Sequence, residues 1–392
     1  MTDHPSTYRY SVFFMMESFL GMFADREQPW SYGGVEIQLY YLARAFARRG
    51  DTQVILLHDK PIDFQVPYEN IEARQRRAAI SKGVPVISRY INRARARQDL
   101  VFEGEHAFFI FGLLVPPVFL RELKAAGILP VYWLNGDSLV DGSGYLPPLS
   151  ERLVSEQISL SMGFVTQNRT QQAALKERYG HNAPVIESAF ENPFSGEHAQ
   201  HINPGGKPSL LWIGRCDGVK RPWVVEQLAQ LLPDIRIQMI MPERGNEGFF
   251  TALTHDLGRH ANIELSPGIP HDELMRLFHE DVILINTSGS EGLPNTFIEA
   301  AFARRPFVSL EVDLGGLLDR DIAPGTKGLC AQGDLGVMAA QLRMLADDPA
   351  LRAAIGEAAY QHAGAAYDSD RVADQWIDYL SALAKTSRNS ST

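Results

Sequence analysis

Two successive blocks of alternating strand and helix signals predict an α/β protein of two doubly wound domains facing a central cleft. Three observations carry this reading. Short apolar runs alternate with helical stripes from the start of the chain onward, which is the unit of a parallel sheet. A polar stretch rich in Gly, Pro, Asn and His from Ser188 to Pro208 interrupts the alternation, which then restarts. The 392 residues are enough for two domains of ordinary size, each with its own core.

The elements follow in order. Arg9 to Met15 reads as a buried strand, with Tyr10, Val12, Phe13 and Phe14 as β-formers. A turn-rich loop runs through Pro29 to Gly33 and Gly34. Val35, Leu39, Leu42, Ala43 and Phe46 then fall at helical spacing. Arg44, Arg48 and Arg49 come late in that helix, where cations suit its dipole, and Gly50 caps it. Strands are read at Gln53 to Leu57, Phe108 to Phe111, Pro130 to Leu134 and Gly163 to Thr166, and a helix from Thr170 to Tyr179 ending at Gly180. After the linker, strands fall at Ser209 to Ile213, Ile235 to Met241, Val282 to Asn286 and Phe307 to Leu310. Helices fall at Trp223 to Leu232, Glu273 to Phe278 and Thr296 to Ala303. The boundaries are a first domain over 1–190, a second over 191–365, and a final helix over 366–392 that packs back on the first domain and ends in a disordered tail.

Composition narrows the function. Hydrophobic residues make up 45% and charged residues 21%, ordinary for a soluble globular protein, and the net charge of -10 disfavours a nucleic-acid binder. Cys216 and Cys330 lie far apart without metal-ligand spacing, which fits a reduced, cytoplasmic setting. Glu17 interrupts the apolar stretch from Ser11 to Phe23 and no basic segment precedes it, which argues against a signal peptide; no run is long enough to span a membrane. No G-x-G-x-x-G follows a strand and no Walker A motif occurs, so a dinucleotide-dependent dehydrogenase and a P-loop NTPase are disfavoured.

Three segments carry chemistry. Ser288 to Ala301 follows a strand and opens a helix. Such a glycine-bearing loop offers free N–H groups and a positive dipole end to a phosphate. Pro294 sits where its missing N–H costs nothing. Glu291 lies in the loop and Glu299 about one turn into the helix; carboxylates there suit vicinal hydroxyls, and equally suit a loop cap and a first-turn acid. Leu211 to Pro222 places Arg215 and Lys220 beyond the carboxyl end of a strand, where ligands bind in such folds; two cations there clamp a diphosphate or stay solvated. Pro29 to Glu36 presents Gly33 and Gly34 ahead of a helix, for close backbone approach or an ordinary turn.

Together, in this order and spacing, these segments resemble the retaining glycosyltransferases of the GT-B fold, family 4. That family shows a proline-bearing loop ending in G-G-x-E, a G-R-x-x-x-x-K loop and E-x7-E, here Pro29 to Glu36, Gly214 to Lys220, and Glu291 to Glu299. The resemblance extends over roughly Pro208 to Ala365, including "HDELMRLFHED", Gly315-Gly316 and "LADDP", and is weaker over the first half, where "VTQNRTQQAALKERYG" contributes. It implies two Rossmann-like domains, the first for an acceptor and the second for a nucleotide-sugar donor. By that resemblance Arg215 and Lys220 neutralise the diphosphate and Glu299 holds the ribose. Glu291 contacts the donor sugar, with the backbone of Gly214, Gly292, Leu293, Pro294 and Asn295 lining the site, and Gly34 approaches the diphosphate from across the cleft.

The resemblance further implies retention of anomeric configuration, no metal and no cofactor beyond a UDP- or GDP-linked sugar. The acceptor is a saccharide, a lipid-linked group or a small molecule. Two departures stand out. Where relatives carry a His at a strand end, this chain reads Leu134-Asn135-Gly136-Asp137, leaving Asn135 or Asp137 to contact donor sugar or acceptor, or Asp137 to serve a turn. Arg221 replaces a commoner glycine and adds a cation near the diphosphate. The altered site keeps two other readings open: an epimerase-like relative, or an inactive nucleotide-sugar-binding scaffold.

Two further stretches stay open. Basic residues run from Arg74 to Arg97, with Arg89, Arg93 and Arg97 on one helical face, as a peripheral contact with an anionic inner membrane face or as a solvated helix or mobile loop. Phe13 to Phe23, Trp30 and Tyr32 are candidates for the acceptor lining and equally for core.

Overall fold

The structure is a computed structural model that describes residues 8–15, 22, 34–59, 66, 68–76, 99–112, 114–140, 148–194, 207–243 and 247–389. Within them lie two six-stranded sheets, every adjacent pair parallel. The first contains β1 (Tyr10–Met15), β2 (Thr52–His58), β3 (Ile71–Gln75), β4 (His106–Phe111), β5 (Ile128–Leu134) and β6 (Gly163–Thr166) in the order β3-β2-β1-β4-β5-β6. The second contains β7 (Ser209–Ile213), β8 (Ile237–Ile240), β9 (Ile263–Ser266), β10 (Val282–Asn286), β11 (Phe307–Ser309) and β12 (Leu329–Cys330) in the order β12-β11-β10-β7-β8-β9. Counted from its own first strand, the second sheet repeats the order of the first. Each sheet therefore has a switch point between its first and fourth strands, β1/β4 and β7/β10, where the winding reverses and a crevice opens.

The strand sequences explain this burial. β1 and β2 are buried almost end to end, as both faces of a parallel sheet must be. Alternate residues feed opposite cores. Val12 and Phe14 join one cluster with Val54, Leu56 and Phe108, whereas Phe13 joins another with Ile55, Leu57 and Phe109. In the second sheet Leu210 and Trp212 pack on one side, and Leu211 and Leu284 on the other. Phe13 and Phe14 are thus core rather than acceptor lining, while Trp30 and Tyr32 lie outside the described residues.

Helix ends follow their local chemistry. The helix Arg169–Tyr179 starts on Asn168, whose side chain accepts from the Gln171 N–H, and ends on Gly180 at φ 73°. Asp348 caps the helix Pro349–Ala366, with Pro349 at its first position. The chain passes between the halves at two adjacent places: the Phe190 N–H donates to the Tyr367 carbonyl at 2.8 Å. Beyond that point the helix Ser369–Asn389 lies on the first sheet's core, where Val372, Trp376 and Leu380 join Val12 and Phe14. Tyr379 Oη there accepts from the Phe164 N–H at 2.8 Å.

The basic stretch is described only at its start. Arg74 lies on β3 and pairs with Glu72 at 2.6 Å. Arg76 pairs with Asp59 at 2.7 Å. Arg77 to Arg97 lie outside the described residues.

Candidate active site at the second switch point

The loops that follow β7 and β10 meet at the second sheet's switch point. After β7 the chain turns at Gly214, whose backbone presses on the Trp212 indole; a Cβ there would stand 2.8 Å from the ring. Asp217 organises the loop, its Oδ1 accepting the N–H groups of Val219 at 3.1 Å and Lys220 at 2.9 Å. Arg215 extends outward, 58% exposed, with Nη2 3.0 Å from Asp217 Oδ2. Lys220 turns inward and forms an ion pair with Glu291 Oε1, the two side chains being 21% and 13% exposed. Ser288 Oγ donates to the same carboxylate oxygen at 2.6 Å. Hydrogen bonds from Gly289 N–H to the Val219 carbonyl (2.9 Å) and from Thr287 Oγ1 to the Lys220 carbonyl (2.7 Å) join the two loops.

Arg221 departs from the sequence expectation. Its guanidinium donates to the carbonyls of Thr287 at 2.6 Å and Ser288 at 2.9 Å and pairs with Glu311 at 2.7 Å, so it braces the two loops rather than adding a free cation. Its φ of 48° lies in the left-handed region, which favours glycine and accounts for the glycine the resemblance leads one to expect there. The three anchors hold an arginine in a conformation it adopts at a cost of about 1 kcal/mol.

Glu299 lies in the helix Asn295–Phe302, capped at Pro294, and is only 2% exposed. It is not a solvated first-turn acid. His271, at the start of the helix His271–Leu277, meets it with Nε2 3.2 Å from Oε1. That hydrogen bond raises the imidazole pKa above its ordinary value against the opposing pull of desolvation, with Asp272 adding in the same sense. Burial pushes the neighbouring Tyr41 phenol far up, and the negative charge of Glu299 adds to the shift.

The first half contributes its own side of the cleft. The Gly34 carbonyl accepts from Asn295 Nδ2 at 3.1 Å. A Cβ at Gly34 would come only to 3.6 Å of Asn295, so the protein's own packing does not demand glycine there; Gly33 lies outside the described residues. Gly292 is the opposite case, since a Cβ there would stand 2.3 Å from the Asn135 carbonyl oxygen. Asn135 Nδ2 is buried with no hydrogen-bond partner. The Asp137 N–H donates to the Glu291 carbonyl at 3.3 Å, and its Oδ1 accepts from Gln171 Nε2 at 2.9 Å and Asn168 Nδ2 at 3.2 Å. The structure thus brings together Lys220, Glu291, Gly292, Asn295, Asn135 and Asp137, with Arg215 at the loop's outer edge. Sequence reading assigned no part to Gln38, Gln167 or His271. Gln38 carried one signal, a polar residue on the apolar face of its helix beside Leu39 and Leu42.

Two sheets of this order, with loops of this kind at the cleft, define the GT-B glycosyltransferase fold. No family model matches the chain. Among curated proteins it is similar to the D-inositol 3-phosphate glycosyltransferase of Streptomyces avermitilis, 29% identical over 192 residues that cover 45% of this chain and 40% of that protein. It is also similar to the protein of the same description from Arthrobacter sp., 32% identical over 168 residues covering 41% and 39%. The chain spans about two-fifths of the length of these curated relatives. Of solved structures, sucrose-phosphate synthase from Thermosynechococcus elongatus superposes with a TM-score of 0.72 at 14% identity, covering 96% of this chain and 100% of that one. Anabaena HepE in complex with UDP and glucose gives 0.69 at 15%, covering 95% and 99%. The resemblance drawn from the motifs is borne out by these comparisons.

Proposed function

We propose that this protein is a retaining glycosyltransferase that moves a sugar from a nucleoside diphosphate to a hydroxyl acceptor. The observation that carries the reading is the meeting of Lys220 and Glu291 at the β7/β10 switch point, with Arg215 extending from the same loop and Glu299 buried one turn into the adjoining helix. In this reading Arg215 and Lys220 face the diphosphate, aided by the N-terminal end of the helix Asn295–Phe302 and the backbone of Gly292 to Asn295. Glu299 accepts from the ribose hydroxyls through the oxygen not engaged by His271. Glu291 addresses the donor sugar, oriented by Lys220 and Ser288. As the bond from the anomeric carbon to the diphosphate breaks, negative charge builds on the leaving group. Preorganised cations and N–H dipoles there lower the barrier, and binding holds the acceptor hydroxyl near the anomeric carbon.

The donor is assigned as UDP-linked, by analogy with the UDP complex of Anabaena HepE. The leaving-group charge is assigned to side chains and the helix end rather than to a metal, so turnover in excess EDTA is expected to persist. The acceptor is assigned to the first half; Arg77 to Arg97 supply the sequence basis for an anionic, lipid-linked one, which sedimentation with anionic and neutral liposomes tests. A thermal-shift panel of UDP, GDP and their sugar conjugates tests the donor assignment. A raised midpoint with UDP species supports it, and no shift with any nucleotide refutes it.

A further inference from the structure

Where the two halves touch, Ile37 and Tyr41 pack on the second half's Phe302 cluster, and beside them lies a set of buried amides. Gln38, one turn into the helix Gly34–Arg48, donates from Nε2 to the Leu293 carbonyl at 3.0 Å and to Asn295 Oδ1 at 2.8 Å. Its Oε1 accepts from Gln167 Nε2 at 2.8 Å, which also donates to Ser188 Oγ at 2.7 Å. The Gln167 N–H donates to Gln171 Oε1 at 2.8 Å, and Gln171 in turn holds Asp137, whose N–H reaches the Glu291 carbonyl. Gln38, Gln167, Gln171, Ser188 and Asn295 are all buried. Each of these polar ties from the first half therefore lands on Glu291, Leu293 or Asn295, the backbone that carries the candidate-site carboxylate and the start of the Glu299 helix.

Amides at such a place act differently from apolar groups. A hydrogen bond between neutral groups exchanges for bonds to water when the halves part, so its net strength is small while its geometry stays strict. One acceptor, Gln167 Oε1, has no partner in the closed contact although it is buried against Gly292. Water satisfies it on separation, which favours release. The amide part of the contact thus fixes register without adding much to the adhesion of the halves.

We propose that Gln38 and Gln167 are positioning residues, a releasable amide latch that sets the Glu291–Asn295 loop against the first half. Its kinetic consequence rests on the proposed sugar transfer; its structural consequence does not. The test uses the full chain with Gln38→Leu, Gln167→Met and the double variant. Circular dichroism establishes folding, calorimetry gives UDP affinity, release of UDP from UDP-glucose gives turnover, and small-angle X-ray scattering gives the radius of gyration.

The latch predicts turnover reduced about tenfold or more with UDP affinity held within about threefold, because Arg215, Lys220 and Glu299 all belong to the second half. It also predicts a larger radius of gyration than the wild type, and a double variant no more impaired than the worse single one. Folded variants with the wild-type radius of gyration overturn the latch, as does turnover lost only in proportion to UDP affinity. If the wild type neither binds UDP nor releases it from UDP-glucose, the functional reading fails, and the scattering comparison still decides for or against the latch.

Discussion

The two sheets share one strand order, yet the crevices at their switch points are finished in different ways. Beyond β7 and β10 the loops are charged: Arg215, Lys220 and Arg221 face Asp217, Glu291 and Glu311, and each cation has a carboxylate partner. On the first sheet's side, among the described residues, β4 leads to Gly112 beside Asn135 beyond β5, and the groups that meet the second half are the neutral amides Gln38, Gln167 and Asn135, with Asp137 next to them. The same topology supplies a crevice twice, and side chains decide what each is for. Charge collects where a diphosphate is proposed to sit; amides collect where the two halves must meet in one register. A helix end points at the charged crevice through Pro294 and Asn295, which reinforces the asymmetry.

Several variants would break or sharpen this contrast. Lys220→Ala removes the inward cation and leaves Glu291 half-buried without it. We expect turnover to fall about a hundredfold, the scale of a lost charge-stabilising group, with the fold retained by circular dichroism. Wild-type turnover in a folded variant would remove the charged crevice from the chemistry. Glu299→Ala should weaken UDP binding about tenfold by calorimetry, since hydrogen bonds to a buried charge are the strong ones; unchanged affinity would detach Glu299 from the nucleotide.

Glycines test where the crevices touch. A methyl at Gly292 meets the Asn135 backbone oxygen, which cannot swing aside. Gly292→Ala should therefore lower stability to urea by about 1–3 kcal/mol. At Gly112 the added atom meets the far end of the Asn135 side chain, which can rotate. Gly112→Ala should cost about 1 kcal/mol or less. Equal costs would mean that Asn135 is as rigid as the backbone.

The smallest effect is on pH dependence. The folded pKa of His271 is raised by Glu299, so its contribution to stability is complete below the unfolded value and fades as pH rises through the folded one. The thermal midpoint of the wild type should exceed that of His271→Gln most at about pH 6 and least at about pH 8. The half-exposed imidazole limits the difference to below about 1 kcal/mol after screening. A gap that widens toward alkaline pH would contradict the pairing.

Legibility in the sequence varied with the range of the interaction. β6, β7 and β10 begin and end where their apolar runs do, because a doubly covered strand has no polar face to blur its limits. Two edge strands were not legible: β3 reads IEARQ, half polar and only partly buried, and β12 has only two residues. The spacing of Glu291 and Glu299 singled out the candidate site, but not that Glu299 is buried, that His271 meets it, or that Arg221 is drawn into a brace.

By itself the sequence determined the alternation of strand and helix, the two-sheet architecture, and the placing of cations and carboxylates after particular strands. These follow from local periodicity and turn chemistry, which act over a few residues. Only the tertiary structure decided which charge pairs with which, and that Gln38, Gln167 and Asn295 meet. Those partners stand as many as 257 residues apart, and no local pattern encodes a hydrogen bond whose two ends are brought together by the packing of separate cores.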